Sequence, residues 1–397
     1  MRIAVFIKNT TLHESFGGLE TLNAVLCEGL ALGGHDVVIF SPKHELNIDS
    51  KLHNGVNYVF VTCKYKMGFI LGFGGSLDKN NWINRSYQVF KEEHRKKPFD
   101  IVVGQSSSAI GIIKRRTELA VPVVSVAHGT ILSEYKTYVR EINSLRSLIQ
   151  LIPNTGFVLK NFFTRQREMV HGSNKVVAVS IFVKRSLIEE TFTSEDHIKV
   201  IHNGTFAPNL QPNRSSNEAV ELLYVGRLEQ SKGLHLMINM LVLPEFSNVK
   251  FIIVGKGPYT TELKELVNKL GVGDRVVFEG LLPHEQVIQR MQSSSIFVLP
   301  TLRIEGFPMT LVEAMFAKLP IVVFDMGGVS DAVVNNVTGY VVPAGDVDSY
   351  KHSVLSLVNS SELRAEFGEN AYNKATQEYT VDVMINKYME VFKEVIK

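Results

Sequence analysis

Only two cysteines occur among the 397 residues, Cys27 and Cys63, and each falls in an apolar element. Two thiols so placed make neither a Cys-based zinc site nor a disulfide framework, and they fit a reducing compartment. Long apolar runs are missing too: none approaches the roughly 20 residues of a membrane-spanning helix. The start, Met-Arg-Ile-Ala-Val-Phe-Ile-Lys, is too short and too soon interrupted by charge to read as a secretory signal. An excess of one charge is absent as well. The 42 Lys and Arg against 40 Asp and Glu leave a formal +2, which excludes a bulk electrostatic grip on nucleic acid. These absences lead us to expect a cytoplasmic protein with no nucleic-acid partner.

The remaining composition, 45% hydrophobic and 21% charged, is that of a globular protein. The length exceeds what one hydrophobic core sustains, so two domains are expected. Short runs rich in Val and Ile alternate with longer helical patterns. The first series lies at residues 3–7, 36–40, 101–103, 121–126, 175–179 and 198–201. A second lies at residues 221–225, 250–254, 275–278, 296–299 and 321–324. Continuous apolar strands separated by helices predict parallel sheets covered on both faces, in βαβ units. A polar stretch at 206–219, with Pro208 and Pro212, reads as a linker. The expected plan is therefore α/β: one Rossmann-like, doubly wound domain over 1–205, the linker, and a second over 220–378. The two would face each other across a cleft. An amphipathic helix over 379–397 would pack back on the first domain.

Open α/β sheets bind ligands beyond the C-terminal ends of their strands, which directs attention to the loops there. After the first strand come Gly17 and Gly18, at the start of a helix. The pair either lets a phosphate or sugar approach backbone amides at a positive helix end or forms a plain tight turn. After residues 221–225 the chain reads Gly226-Arg-Leu-Glu-Gln-Ser-Lys232-Gly. Arg227 and Lys232 are two fixed cations suited to a diphosphate, or else two solvated surface charges.

Glu305 and Glu313 stand eight positions apart in Arg-Ile-Glu-Gly-Phe-Pro-Met-Thr-Leu-Val-Glu. Pro308 suits the first turn of a helix running from Met309 through Lys318, with Leu311, Met315 and Leu319 toward the core. One carboxylate in the loop and one on the helix can accept from separate sugar hydroxyls, while the helix end takes a phosphate. The bland alternative has Glu305 capping the helix and Glu313 in solvent. The loop Glu-Gly-Phe-Pro is too apolar for simple capping, which favours the functional reading. His128-Gly129 follows another strand, where a histidine donates a hydrogen bond, moves a proton near neutral pH, or is merely structural. No Walker loop, Gly-x-Ser-x-Gly elbow or His-Glu-x-x-His motif occurs, and no Asp-x-Asp is expected at a strand end. Gly255-Lys-Gly-Pro258 is half a dinucleotide fingerprint, better read as a strand-to-helix turn lining the cleft.

Together these pieces resemble the retaining glycosyltransferases of family 4, with the GT-B architecture. The carried motifs are Gly17-Gly18, His128-Gly129, Asn203-Gly204, Gly226 to Gly233, Gly255 to Pro258 and Glu305 to Glu313. The resemblance implies that Arg227 and Lys232 neutralise the diphosphate of a nucleotide-sugar donor, UDP foremost. It implies that Glu313 holds the ribose, Glu305 the transferred sugar, and Leu282 in the turn 280–283 the base. Gly226, Gly306, Phe307, Pro308, Met309 and Thr310 would line the donor, Gly17 and Gly18 would close over it, and His128 would sit beside the sugar. Fixed cations and helix amides stabilise a departing nucleoside diphosphate without metal or other cofactor. Both same-face attack and double displacement are compatible with these residues.

The expected partner on the other side is a hydroxyl acceptor, in polysaccharide or glycoconjugate synthesis. Residues 64–75 are apolar and glycine-rich, and residues 135–171 mix basic with apolar side chains. The pattern fits either an amphipathic surface or peripheral contact with an anionic membrane at its inner face. A nucleotide-sugar epimerase, a degenerate GT-B subunit and a dinucleotide oxidoreductase are rival readings. The first lacks an array of acid–base groups, the second predicts loss of the four donor residues, and the third lacks a complete fingerprint.

Overall fold

The computed structural model describes residues 1–14, 17–64, 81–140, 151–207 and 219–396. It divides into two compact units, Met1–Gly204 with Val381–Lys397, and Thr205–Thr380. The division falls within two residues of positions 205 and 379. Of the expected linker, residues 208–218 lie outside the described residues, as does most of the glycine-rich stretch 64–75.

The first unit is built on an eight-stranded sheet of order β3-β4-β2-β1-β5-β6-β7-β8. Its strands are β1 (Arg2–Phe6), β2 (Asp36–Pro42), β3 (Ser50–His53), β4 (Val56–Val61), β5 (Ile101–Gln105), β6 (Val123–Ala127), β7 (Lys175–Ala178) and β8 (Ile198–Val200). All pairings are parallel except β3 with β4. The central strands are buried along their length, as expected where helices cover both faces. On one face Phe6, Phe40, Phe90 and Phe99 pack as a ring cluster, with Phe6 and Phe40 stacked 5.0 Å apart.

The β3–β4 hairpin is absent from the sequence reading. Three of the four β3 residues are exposed, so the strand carries no apolar run. Its signal is the turn Asn54-Gly55, both at positive φ (46° and 76°), between the paired residues His53 and Val56.

The helix Val381–Ile396 belongs to this unit and lies on the helix Gly18–Leu32. Gly29 makes the close approach possible: a Cβ there would stand 2.8 Å from the Val381 side chain.

The second unit has a six-stranded parallel sheet, β11-β10-β9-β12-β13-β14. Its strands are β9 (Val220–Val225), β10 (Val249–Val254), β11 (Val276–Gly280), β12 (Ile296–Leu299), β13 (Ile321–Phe324) and β14 (Gly339–Val342). The chain winds outward in one direction from β9, then returns to β12 and winds the other way, the doubly wound arrangement. Short β14 was not foreseen, since its four residues follow a polar turn and only the first and last of them are buried. The helix after β12 runs Met309–Phe316, ending two residues earlier than expected, with Leu311, Met315 and Leu319 fully buried.

Candidate donor site

The second sheet reverses its order between β9 and β12, so the loops leaving these two strands meet beyond their C-terminal ends. The loop after β9 is pinned by its backbone. The Tyr224 hydroxyl donates to the Arg227 carbonyl (2.9 Å), the Leu228 amide donates to Lys256 (3.0 Å), and Leu228 itself is fully buried. Gly257 sits directly against the Leu228 backbone, so the Gly255–Pro258 turn braces this loop. The chain then turns at Gly233, whose φ of +70° and contact with the Pro300 carbonyl leave no room for a side chain.

This turn fixes Lys232, whose Nζ lies 2.6 Å from Glu305 Oε1. The two side chains are only 16% and 12% exposed, so the ion pair is largely withdrawn from water. The Thr301 hydroxyl donates to the same carboxylate oxygen at 3.0 Å. Oε2 of Glu305 receives no hydrogen bond among the described residues. The backbone of Glu305 is clamped by the loop after β13: its amide donates to Met326 (3.1 Å) and its carbonyl accepts from Gly328 (2.8 Å). Gly327, at φ +79°, is pressed against that carbonyl. Glu305 is therefore not a helix cap. It is a carboxylate positioned by three loops, with one oxygen neutralised and the other available to a hydroxyl donor.

Glu313 points from the second turn of the Met309–Phe316 helix and is 8% exposed. Burial pushes its carboxyl up to about 7, because the charged form has lost its water without gaining a close counter-charge. The nearest basic group is His284, with Nε2 3.9 Å away. His284 follows the turn that contains Leu282, which is half-buried, so the turn borders Glu313. Gly306, Pro308, Met309 and Thr310 are also half-buried around the helix start. Phe307 differs: it is 5% exposed and packs edge-on to Tyr379 at 5.3 Å. Its side chain belongs to the core, which leaves only its backbone to a ligand.

Arg227 does not match the expectation of a second fixed cation. Its side chain is 71% exposed and its Nε meets Glu229 Oε1 at 3.0 Å, while Glu229 also faces Arg303 at 3.5 Å. Only its carbonyl is held by the fold, and the long side chain extends away from that anchor. Asp346-Val-Asp348 was overlooked in the sequence because β14 was. Asp346 caps the helix Val347–Asn359, accepting from the Ser349 amide at 3.0 Å.

Three of the candidate residues belong to the first unit. Gly17 is the N-cap of the helix Gly18–Leu32, and its amide donates to Glu20 Oε2 at 2.8 Å, half of a capping box. A Cβ on Gly18 would meet nothing within 4 Å, so packing does not require glycine there. His128 is half-buried, and Nε2 donates to Gln105 Oε1 at 2.7 Å. Loss of water pushes its imidazole down to about 4, which makes it neutral at neutral pH. The expected proton transfer near neutral pH therefore does not suit it, whereas hydrogen bonding does. Thr301, Gly327, Gly328 and His284 were missed in the sequence. The pair Gly327-Gly328 after a strand was the visible signal.

A carboxylate–ammonium pair and a buried carboxylate thus stand together at the strand-order reversal of a Rossmann-like sheet, the candidate site of this unit. Residues 16–205 match the family "Glycosyltransferase Family 4" and residues 207–374 match "Glycosyl transferases group 1". The chain belongs to the family 4 glycosyltransferases with the GT-B fold. An uncharacterized glycosyltransferase of Methanocaldococcus jannaschii is 28% identical over 235 residues, 56% of this chain and 60% of the relative. The capsular polysaccharide biosynthesis glycosyltransferase CapM of Staphylococcus aureus is 23% identical over 325 residues, 77% of this chain and 79% of CapM. Three of the curated relatives are matched over only 45% to 60% of their own length. Among solved structures, Anabaena HepE in complex with UDP and glucose superposes with a TM-score of 0.75. The match covers 99% of this chain and 100% of HepE at 18% identity, a likeness of fold.

Proposed function

We propose that this protein transfers a hexose or N-acetylhexosamine from a nucleoside-diphosphate sugar, UDP first, to a hydroxyl acceptor, with retention and without metal. The observation that carries the reading is the Lys232–Glu305 pair, 2.6 Å apart and nearly buried, beside a helix start and a second buried carboxylate. Lys232 supplies positive charge to the departing diphosphate, where low water content makes it worth more than in bulk. The amides at the start of the Met309–Phe316 helix add partial positive charge. Arg227, free to swing, closes on the phosphates once a donor is present.

Glu305 accepts from the transferred sugar through Oε2, and Glu313 accepts from the ribose hydroxyls. His128 donates or accepts as a neutral group. The UDP complex of HepE and the capsule-related name of CapM support the choice of base and a role in polysaccharide or glycoconjugate synthesis. A panel of UDP, GDP, ADP and their sugars in a thermal-shift assay tests the donor. No shift with any of them overturns the reading in favour of a degenerate subunit.

Peripheral membrane contact is a second part of the proposal. Val139, Phe157, Leu159 and Phe163 are 42% to 59% exposed on the helices Ile131–Arg140 and Leu151–Asn161 and the turn Phe162–Gln166, and Arg140, Lys160, Arg165 and Arg167 lie on or next to these elements. No helix among the described residues is long and apolar enough to cross a membrane. Co-flotation with phosphatidylglycerol vesicles, lost at high salt, is the expected outcome. Absence of flotation at low salt would remove this part.

A further inference from the structure

The first sheet reverses its order between β1 and β5, and a half-open cavity of about 260 Å³ lies in the same unit beyond the C-terminal ends of β1, β5 and β6. Lys8 enters it two residues past β1, Ser106 and Ser107 just past β5, and Thr130 past β6. From the far side come Glu134 and, on a π-helical turn (Phe162–Gln166), Arg165 and Gln166. Such turns are rare and concentrate at functional sites.

The polar lining separates into groups with partners and groups without. Gln166 is committed at both ends, accepting from the Ile131 amide (2.9 Å) and donating to Glu190 (2.6 Å). Thr130 donates to the other Glu190 oxygen at 2.7 Å, and Asn161 donates to the Phe157 carbonyl at 2.7 Å. These bonds make a fixed floor. Among the described residues, the side chains of Lys8, Arg165, Ser106 and Ser107 have no hydrogen-bond partner. Lys8 also feels Arg165 as a like charge, and both effects, burial first, lower its affinity for a proton. Lys8 and Arg165 are the two basic side chains of the lining and Glu134 its carboxylate, while Glu190 lies behind Thr130 and Gln166 with both oxygens already occupied. Ser106 is held at φ +51°, a conformation that a non-glycine residue adopts only where its surroundings impose it.

We propose that this cavity is an acceptor subsite for a phosphoryl group, held by Lys8 and Arg165 with the Ser106 and Ser107 hydroxyls as further donors. Two cations and two hydroxyls offer more donors than a planar carboxylate can accept in one place, and they suit the tetrahedral oxygens of a phosphate. The cavity volume lies below the range of drug-sized ligands and fits a phosphate with part of the sugar or glycerol that carries it. Calling the phosphate part of the acceptor rests on the glycosyltransferase reading; the binding of the anion does not.

The test uses the full chain at fixed ionic strength. Calorimetry with inorganic phosphate, glucose 6-phosphate and glucose is compared for the wild type, Lys8→Met and Arg165→Gln, with UDP titrated into each. Binding of phosphate and glucose 6-phosphate but not glucose is expected, weakened at least about tenfold in each variant while UDP affinity stays unchanged. Arg165 is exposed, so its variant remains informative if Lys8→Met does not fold. Flotation with phosphatidylcholine vesicles with and without phosphatidic acid separates the sources. Dependence on phosphatidic acid that Lys8→Met abolishes while flotation with phosphatidylglycerol is unchanged assigns the phosphate to a lipid, and binding of glucose 6-phosphate alone assigns it to a soluble sugar. Equal binding of glucose and glucose 6-phosphate, or no binding of either anion, overturns the subsite. Phosphate binding without any nucleotide binding keeps the subsite and overturns the donor reading instead.

Discussion

Titration of Glu313 gives a quantitative test of the donor site. Its carboxyl is raised from 4.5 to about 7 by burial, which corresponds to about 3 kcal/mol against the charged form in the empty site. The folded protein therefore holds this proton more tightly than the unfolded chain. Stability from this group is greatest below pH 4.5, declines as the pH rises toward 7, and is then constant. A ribose that donates hydrogen bonds to Glu313 requires the carboxylate, so donor binding expels the proton.

With a midpoint of about 7, roughly a tenth of the groups are ionised at pH 6 and nine-tenths at pH 8. The affinity for UDP-glucose, whose diphosphate does not titrate in this range, should fall about tenfold between pH 8 and pH 6. Glu313→Gln should bind more weakly at pH 8 and show a flat profile. His284→Gln should keep the slope, since it leaves the buried Glu313 carboxyl in place. Calorimetry at the two pH values measures all three proteins. An unchanged affinity in the wild type, or the same slope in Glu313→Gln, would refute the reasoning.

Lys232→Ala and Glu305→Ala should each lower transfer by about 10² to 10³ or more with the fold retained. The double variant Lys232→Met/Glu305→Gln should regain stability without regaining activity, because it removes the unpaired buried charge that either single change leaves; urea midpoints and initial rates read the two effects. Gly327→Ala places a side chain at φ +79° against the Glu305 carbonyl and should cost about 1–3 kcal/mol in urea unfolding, with a matching loss of donor binding. Chelation with EDTA should leave the transfer rate unchanged; a loss restored by a divalent cation would contradict the metal-free proposal.

Much of the fold was legible because the chemistry of parallel sheets leaves a local trace. Each of the eleven Val- and Ile-rich runs became a strand, since a strand buried on both faces must be apolar throughout. What escaped was β3, exposed at a sheet edge, its hairpin partner β4, whose run VNYVFV is broken by the exposed Asn57, and β14, only four residues long. At the site, Glu305 and Lys232 could be named from sequence because each follows a strand. Their 2.6 Å approach could not, being set by long-range contacts of Gly233 with Pro300 and of Gly327 with Glu305. The exposed setting of the Arg227 side chain was illegible for the same reason. Proximity to a strand end fixes a backbone, but a long side chain is fixed only by partners, and Arg227 finds its partner in Glu229 outside the buried pair.

The helix Val381–Ile396 gives this chain an unusual order of assembly. Thr205 and Thr380 pair side by side, so the second unit is in effect an insertion into the first. During synthesis that inserted unit can be finished while its host still lacks a piece, because the helix that covers Gly29 follows it in the chain. Until then the helix Gly18–Leu32 has a bare flank at Gly29. A ribosome stalled or a chain clipped before residue 381 would thus release a complete donor unit attached to an unfinished one. The helix that follows the inserted unit serves as the latch on a helix that precedes it.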